Sequence, residues 1–119
     1  MTDAPLRRIC LALDLVDDAG LIAEYEHWHR LGNTDPAVTR SIRAAGIRTM
    51  EIYRAGNRLF MLIEADDSYS DEAKAAADTA DPAVVAWVEK MKRFQQPVPI
   101  AGPDGTWTPM TRIFDLADH

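Results

Sequence analysis

Cysteine is almost absent from this sequence: Cys10 is the only one among 119 residues. A single cysteine excludes an intrachain disulfide and favours a reducing compartment. Because Cys10 lies in an apolar run that is typical of a strand, we expect its thiol to fill space in the core and not to act as a nucleophile.

Clustered positive charge and long apolar runs are also missing. The chain has 13 Lys and Arg against 19 Asp and Glu, which gives a formal net charge of -6. Nucleic acids and anionic membranes attract clustered cations, so we expect neither as a partner. No apolar run approaches the ~18 residues of a membrane span, and the stretch from Met1 to Arg8 lacks the layout of a signal peptide. We therefore expect a cytoplasmic protein.

Length and composition are those of one globular domain, residues 1–119. Hydrophobic residues make up 47% of the chain, and a chain of this length normally forms a single domain. A domain of this size buries a modest area per residue, so a second copy would add useful burial. We therefore expect a homodimer.

Alternating apolar residues predict strands at several places. The first runs from Arg8 to Val16. The segments Ile47 to Arg54 and Leu59 to Ala65 flank the turn sequence Ala55-Gly56-Asn57 and predict a hairpin. A last strand is predicted from Met110 to Leu116.

Capping residues mark where the helices begin. Asp17 and Asp18 precede one helical pattern, and Asp35-Pro36 begins a second that Gly46 closes. Ser70 begins a third, and Asp81-Pro82 restarts the pattern in the same way as Asp35-Pro36. Small residues on the third helix permit close packing, namely Ala73, Ala76 and Ala77. An apolar stripe follows the last restart, namely Val84, Trp87, Val88, Met91 and Phe94.

The resulting order, β-α-β-β-α-β, predicts an α+β fold of the ferredoxin-like sandwich type. In this arrangement the helices cover one face of an antiparallel sheet. The other face must be filled, roofed by a loop or covered by a second copy, which would give a dimeric α/β barrel. We expect the pocket of the protein on that open face.

The stretch Tyr25-Glu26-His27-Trp28-His29 carries the most suggestive chemistry. Tyr25 and His29 are four residues apart, so on a helix they lie on one face, one turn apart. A phenol and an imidazole in this position can form a proton-transfer pair, because His titrates near neutrality. Tyr25 could instead be a core aromatic. His27 and His29 lie on different sides of a helix, and no other His or Cys completes a ligand set, so no metal is expected.

Other candidate contacts lie on the predicted hairpin and the last helix. Glu51 is an acidic residue inside a strand pattern, where it could hydrogen-bond a polyol or act as a base. Its alternatives are a solvated edge position and a surface ion pair with Arg48 or Arg58. Trp87 and Trp107 could present an indole face to the C–H groups of a sugar ring, although core packing is the alternative for Trp87.

Over nearly its whole length, the chain resembles the L-rhamnose mutarotase family, and especially its L-fucose mutarotase-like branch. The segments that carry the resemblance are Leu11-Ala12-Leu13-Asp14-Leu15 with Asp17-Asp18, Ile22-Ala23-Glu24-Tyr25-Glu26 with His29 and Gly32-Asn33, Met50-Glu51-Ile52-Tyr53-Arg54, Arg58-Leu59-Phe60-Met61, Ala77-Asp78 with Ala80-Asp81-Pro82, Arg93-Phe94-Gln95-Gln96, and Trp107 to Phe114.

The resemblance implies roles for particular residues. It places His29 at the catalytic histidine, Tyr25 at a substrate-contacting tyrosine and Trp87 at a tryptophan that contacts sugar. Met50 stands where rhamnose-type members have a substrate-contacting tyrosine, and Val88 stands where they have a second tryptophan. After Gly32-Asn33, where the family commonly has Trp-Pro-Glu, this chain reads Thr34-Asp35-Pro36.

The activity implied is a mutarotase, an isomerase that interconverts the α and β anomers of a 6-deoxy-hexose by acid-base ring opening. L-fucose is expected ahead of L-rhamnose, with no cofactor, His29 and Tyr25 as catalytic residues, and Trp87, Glu51, Met50 and Trp107 as substrate contacts. The same architecture also carries other functions. The alternatives are a non-catalytic sugar-binding module and a cofactor-free oxygenase-like protein.

Overall fold

The strands are built on alternating apolar residues, and the helices begin at the predicted caps. The computed structural model describes residues 5–103 and 105–119. In chain order its elements are β1 (Arg7–Leu15), α1 (Ala19–His29), α2 (Pro36–Ala44), β2 (Ile47–Ala55), β3 (Arg58–Ala65), α3 (Asp71–Ala80), α4 (Pro82–Lys92), β4 (Gln95–Gln96) and β5 (Thr108–Pro109), with short 3-10 turns at Pro99–Ala101 and Leu116–Asp118.

Each α-helix begins where the sequence predicts. The side chains of Asp18, Asp35, Ser70 and Asp81 each accept a hydrogen bond from a backbone N–H in the first turn of their helix. These bonds satisfy donors that would otherwise have no intrahelical partner. Gly46 follows α2 with φ +93, a left-handed conformation that favours glycine. The predicted helix starts are therefore confirmed.

The sheet has the strand order of a ferredoxin-like fold, β2-β3-β1-β4, and every pair is antiparallel. β3 pairs with β1 along nearly its whole length. The opposite edge of β1 is shared by β4 near Leu15 and by β5 near Leu11. The predicted α+β class and the predicted hairpin are confirmed.

One face of the sheet carries the core. Leu13, Leu15, Leu59, Met61 and Ile63 alternate along β1 and β3 and are buried. Tyr25 from α1, Met91 from the last turn of α4 and Phe94 just after that helix pack against Leu15 and Leu59. The helical layer therefore covers the same sheet face that the strand alternation marks as apolar.

The predicted last strand, Met110 to Leu116, is wrong. Pairing with β1 is made by Thr108–Pro109, and the fourth strand of the fold is the short Gln95–Gln96, directly after α4. Residues 110–115 have no strand assignment, and Ile113 is 95% exposed. Alternating apolar residues indicate that a segment is suited to a sheet, but a strand also needs a neighbouring strand edge with which to pair. Residues 111–116 lie beyond the point where the chain pairs with β1.

The prediction for the alanines of α3 is also wrong. Ala73, Ala76 and Ala77 are exposed, and the partly buried residues of this helix are Lys74 and Asp78. α3 therefore faces the rest of the protein with a polar pair. Within the residues that the structure describes, no helix has the length and apolar character needed to cross a bilayer.

Candidate active site

A cavity of about 740 Å³ lies between the helical layer and the sheet. Met50 and Ile52 of β2 form part of its floor, together with Met61 of β3. The sequence placed the pocket on the opposite, open face of the sheet, and that expectation is wrong. Met50 and Ile52 are only partly buried, whereas Met61 is buried. The helices therefore pack closely over Met61 of β3 but leave open space over Met50 and Ile52 of β2.

The structure brings the sequence-predicted site residues together. Each of them lines this one cavity: Tyr25, His29, Met50, Glu51, Trp87 and Trp107. They come from α1, β2, α4 and the segment before β5, so their meeting depends on the tertiary fold. Their roles remain proposals, but their shared location gives those roles a common site.

Tyr25 and His29 meet through their ring faces. The ring centroids are 4.2 Å apart, with the planes inclined by 32°. His29 Nδ1 lies 2.6 Å from the backbone carbonyl oxygen of Tyr25, one helical turn earlier. The predicted convergence on one turn is present, but the imidazole hydrogen-bonds to the main chain and stacks on the phenol.

This bond fixes the tautomer of His29. A carbonyl oxygen only accepts hydrogen bonds, so Nδ1 must carry the hydrogen. In the neutral imidazole, Nε2 is then the nitrogen with a free lone pair. His29 can therefore accept a proton from a ligand at Nε2 without losing its contact with the helix.

The surroundings of His29 favour the neutral ring. His29 remains accessible to solvent at the cavity, but desolvation by its neighbours lowers the pKa of His29 below its ordinary value of 6.5, and the hydrogen bond to the Tyr25 carbonyl opposes part of this shift. Trp87 approaches the imidazole edge-on, with ring centroids 5.5 Å apart. At neutral pH the imidazole is therefore mainly unprotonated and suited to accept a proton first.

Tyr25 has the opposite character. Its side chain is buried, and this burial raises the pKa of Tyr25 to about 12, while a hydrogen-bonding contact with the Gln95 side chain limits the rise. The phenol therefore keeps its hydrogen at neutral pH. It can donate to or accept from a sugar hydroxyl, but it is not a base near pH 7.

Glu51 takes one of its predicted alternatives, because it is exposed on β2, which is an edge strand of the sheet. Its carboxylate accepts a hydrogen bond of 2.9 Å from the Tyr53 hydroxyl on the same strand. Arg48 pairs with Asp66 and Arg58 with Asp14, so neither predicted ion pair with Glu51 forms. Glu51 borders the cavity at β2, but it alternates with Met50 and Ile52 along the strand, so its exposed carboxylate lies with Tyr53 on the opposite, open face of the sheet. The predicted sugar contact through this carboxylate is therefore wrong for a ligand in this cavity.

Several cavity residues did not stand out in the sequence as site residues. They are Thr34, Thr39, Lys74, Asp78 and Gln95. Gln95 lies in β4, which the sequence did not predict as a strand, and Thr34 lies in the loop between α1 and α2. A signal existed for Lys74 and Asp78: two oppositely charged residues four apart on a helix rich in alanine.

The two neighbouring histidines do not form a metal site. His27 packs edge-on against Trp28 and is not among the residues that line the cavity. In residues 5–103 and 105–119, no three His, Cys, Asp or Glu side chains are grouped so that they could hold a metal ion.

Comparison with known proteins gives consistent results. Residues 8–116 match the sequence profile of the L-rhamnose mutarotase family. An L-fucose mutarotase from Xanthomonas campestris pv. campestris is 45% identical over 113 residues, which covers 95% of this chain and 90% of that protein. The crystal structure of an L-rhamnose mutarotase from Formosa agariphila superposes with a TM-score of 0.64 at 18% identity, covering 92% of this chain and 98% of that chain. At that identity, the structural likeness establishes the fold.

Proposed function

Since the chain belongs to the L-rhamnose mutarotase family and is an enzyme that interconverts sugar anomers, we propose that its substrate is L-fucose and that His29 moves the proton. The substrate proposal is supported by the 45% identity to an L-fucose mutarotase over almost the full length of both chains. The role of His29 is supported by its fixed tautomer and its place in the cavity.

Ring opening requires the anomeric hydroxyl to lose a proton while the bond between the anomeric carbon and the ring oxygen breaks. The ring oxygen then gains a proton, and an open-chain aldehyde remains. Neutral His29 accepts the first proton at Nε2, and the resulting imidazolium returns it to the ring oxygen. After rotation about the adjacent carbon–carbon bond, the reverse steps close the ring on the other carbonyl face. No proton or electron is gained or lost overall.

The remaining cavity residues hold the sugar. Tyr25 orients a sugar hydroxyl through its protonated phenol, whereas the carboxylate of Glu51 lies on the other face of the sheet and has no part in this proposal. Trp87, Trp107 and Met50 provide apolar contact for the C–H groups and the methyl group of a 6-deoxy sugar. These assignments explain why the cavity combines aromatic and apolar side chains with a polar phenol.

L-fucose is expected to exchange between anomers faster than L-rhamnose. Met50 and Val88 stand where rhamnose-type members have aromatic residues, and they cannot make the same contacts with a sugar ring. An apolar contact of this kind changes the discrimination between two sugars by roughly 1–3 kcal/mol. Saturation-transfer NMR with each sugar at equal enzyme concentration measures the two rates. Faster exchange of L-rhamnose would contradict the substrate proposal, and binding without exchange would indicate a non-catalytic sugar-binding module.

The pH dependence is expected to follow His29. The pKa of His29 lies below 6.5, so kcat/KM should stay level through neutral pH. It should fall tenfold per pH unit once the pH drops below that pKa, because protonated Nε2 cannot accept the anomeric proton. Tyr25, with a pKa of about 12, stays protonated over this range. Exchange rates corrected for the uncatalysed reaction test this, and an inflection above pH 6.5 would contradict it.

We also propose that the protein is a homodimer. The C-terminal segment exposes Met110, Ile113, Phe114 and Leu116, which are 50% to 95% accessible. The radius of gyration is 15.3 Å, against about 13.5 Å for a compact chain of this length. On the open sheet face, Tyr53 is 54% exposed beside Phe60. Exposed apolar groups on the sheet and on an extended segment are what a partner copy would cover.

Sedimentation velocity tests the oligomeric state. A single species with twice the mass of the 13.3 kDa chain is expected at micromolar concentration. Replacing Phe114 and Ile113 with serine should shift the protein toward monomer, because both side chains would lose apolar contact with the partner. A wild-type protein that sediments as a monomer at this concentration would contradict the proposal.

The cytoplasm is the proposed location, with a small sugar as the ligand and neither membrane nor nucleic acid as a partner. The support is the net charge of -6 and the single cysteine, which is partly buried in β1 as a free thiol.

A further inference from the structure

The inward side of α3 is polar. Lys74 and Asp78 are one turn apart and are the residues of this helix that are not exposed. Their side chains are 17% and 29% accessible, and both line the cavity that holds His29. An amphipathic helix normally turns apolar residues toward the protein, so this arrangement calls for a physical reason.

Helix stabilisation does not provide that reason. Lys74 precedes Asp78, which is the less favourable order for an ion pair four residues apart. Asp78 also lies in the last turn of α3, where the helix dipole disfavours negative charge. In every other ion pair of the described residues, the cationic side chain is at least 38% exposed. Lys74 therefore loses more hydration than the Lys or Arg of any other pair.

The pair has hydrogen-bonding capacity left over. Lys74 Nζ and the Ser41 hydroxyl both donate to Asp78 Oδ1, the latter at 3.1 Å. Among the hydrogen bonds of the described residues, none is made to Oδ2, and the ammonium group has two further N–H donors. A carboxylate oxygen beside an ammonium group matches a pair of sugar hydroxyls, since one hydroxyl can donate while the other accepts.

We propose that Lys74 and Asp78 determine the sugar specificity of this enzyme by binding ring hydroxyls away from the anomeric carbon, an inference that rests on the proposed function. The pair reaches the cavity from α3, whereas His29 and Tyr25 reach it from α1. Binding through the pair therefore orients the ring, while proton transfer takes place at His29. Ser41 holds Asp78 in position from α2.

Three 6-deoxy sugars separate this role from a structural one. L-fucose and L-rhamnose differ in configuration at carbons 2 and 4, and 6-deoxy-L-glucose differs from each of them at only one of these carbons. Asp78→Asn keeps the shape of the side chain but removes its charge and one acceptor. We expect kcat/KM to fall by about 10- to 100-fold for at least one sugar, through KM, and by clearly less for another. Lys74→Met should change the same sugars in the same order.

Glu89→Gln is the matched control, because Glu89 forms an exposed ion pair with Lys92 on α4. It should leave all three sugars unchanged. If Asp78→Asn lowers kcat/KM of all three sugars by one common factor, or acts through kcat alone, the specificity role is wrong, whatever happens to the melting temperature. The proposed function fails separately if wild-type enzyme exchanges none of the sugars. In that case the dissociation constants of the three sugars are measured by calorimetry for wild type and Asp78→Asn. An unequal loss of affinity among the sugars supports the specificity role of the pair, and an equal loss contradicts it.

Discussion

Replacing His29 with alanine is expected to lower the rate of L-fucose anomer exchange by about 10²- to 10⁴-fold, which is the usual contribution of a positioned acid-base group. The imidazole lines the cavity, and its Nδ1 hydrogen is bound to the Tyr25 carbonyl, which leaves Nε2 for the substrate. Alanine retains the helix, because it is the residue that best favours helical backbone. Saturation-transfer NMR gives the exchange rate, and circular dichroism gives the helical content.

Two further variants, Tyr25→Phe and His27→Ala, serve as comparisons for His29→Ala. Tyr25→Phe should have a smaller effect, because it deletes one hydroxyl and keeps the ring that stacks on His29. His27→Ala should exchange L-fucose at the wild-type rate, because His27, unlike His29, does not line the cavity. An unchanged rate in His29→Ala would remove His29 from the mechanism, and an equal loss in His27→Ala would point to a general effect on α1.

The helix starts and the hairpin could be predicted because local chemistry determines them. An Asp or Ser side chain caps the backbone N–H groups that follow it, so Asp18, Asp35, Ser70 and Asp81 mark helix starts whatever lies nearby. The relation between Tyr25 and His29 is equally local, since one helical turn fixes it. The stacking of their rings and the tautomer of the imidazole were not predictable, because they depend on side-chain rotamers and on a main-chain acceptor.

The errors concern features that depend on tertiary contacts. The pocket lies on the helical side of the sheet because the helices leave space above Met50 and Ile52, which no periodicity reports. The alternation in residues 110–116 indicates a segment suited to a sheet, but whether it finds an edge depends on the rest of the fold. On α3, alanines indicated a packed face, yet Lys74 and Asp78 are the ones that face inward.

Phe94→Ala is expected to cost about 3–5 kcal/mol in the free energy of unfolding, as truncation of a buried aromatic usually does. Such a loss is a large part of the roughly 5–15 kcal/mol that stabilises a domain. Phe94 is 1% exposed and packs in the cluster of Leu15, Leu59 and Met91. Its carbonyl oxygen also accepts from the Val16 N–H at 2.9 Å, so the residue joins the end of α4 to the end of β1.

The same substitution should also reduce catalysis, for a reason that the position of Phe94 supplies. Its ring contacts Tyr25 edge-on, with centroids 6.0 Å apart, and the next residue, Gln95, lines the cavity. A void beneath Tyr25 removes the support that holds the phenol and the stacked His29 in place.

Urea unfolding at fixed protein concentration gives the free energy of unfolding, since association would otherwise contribute to it. Phe94→Leu, which keeps most of the volume, should cost about 1 kcal/mol, and Val85→Ala on the exposed side of α4 should change stability by less than about 0.5 kcal/mol. Phe94→Ala protein that is fully folded yet exchanges L-fucose at the wild-type rate would show that the core beneath Tyr25 does not position the site.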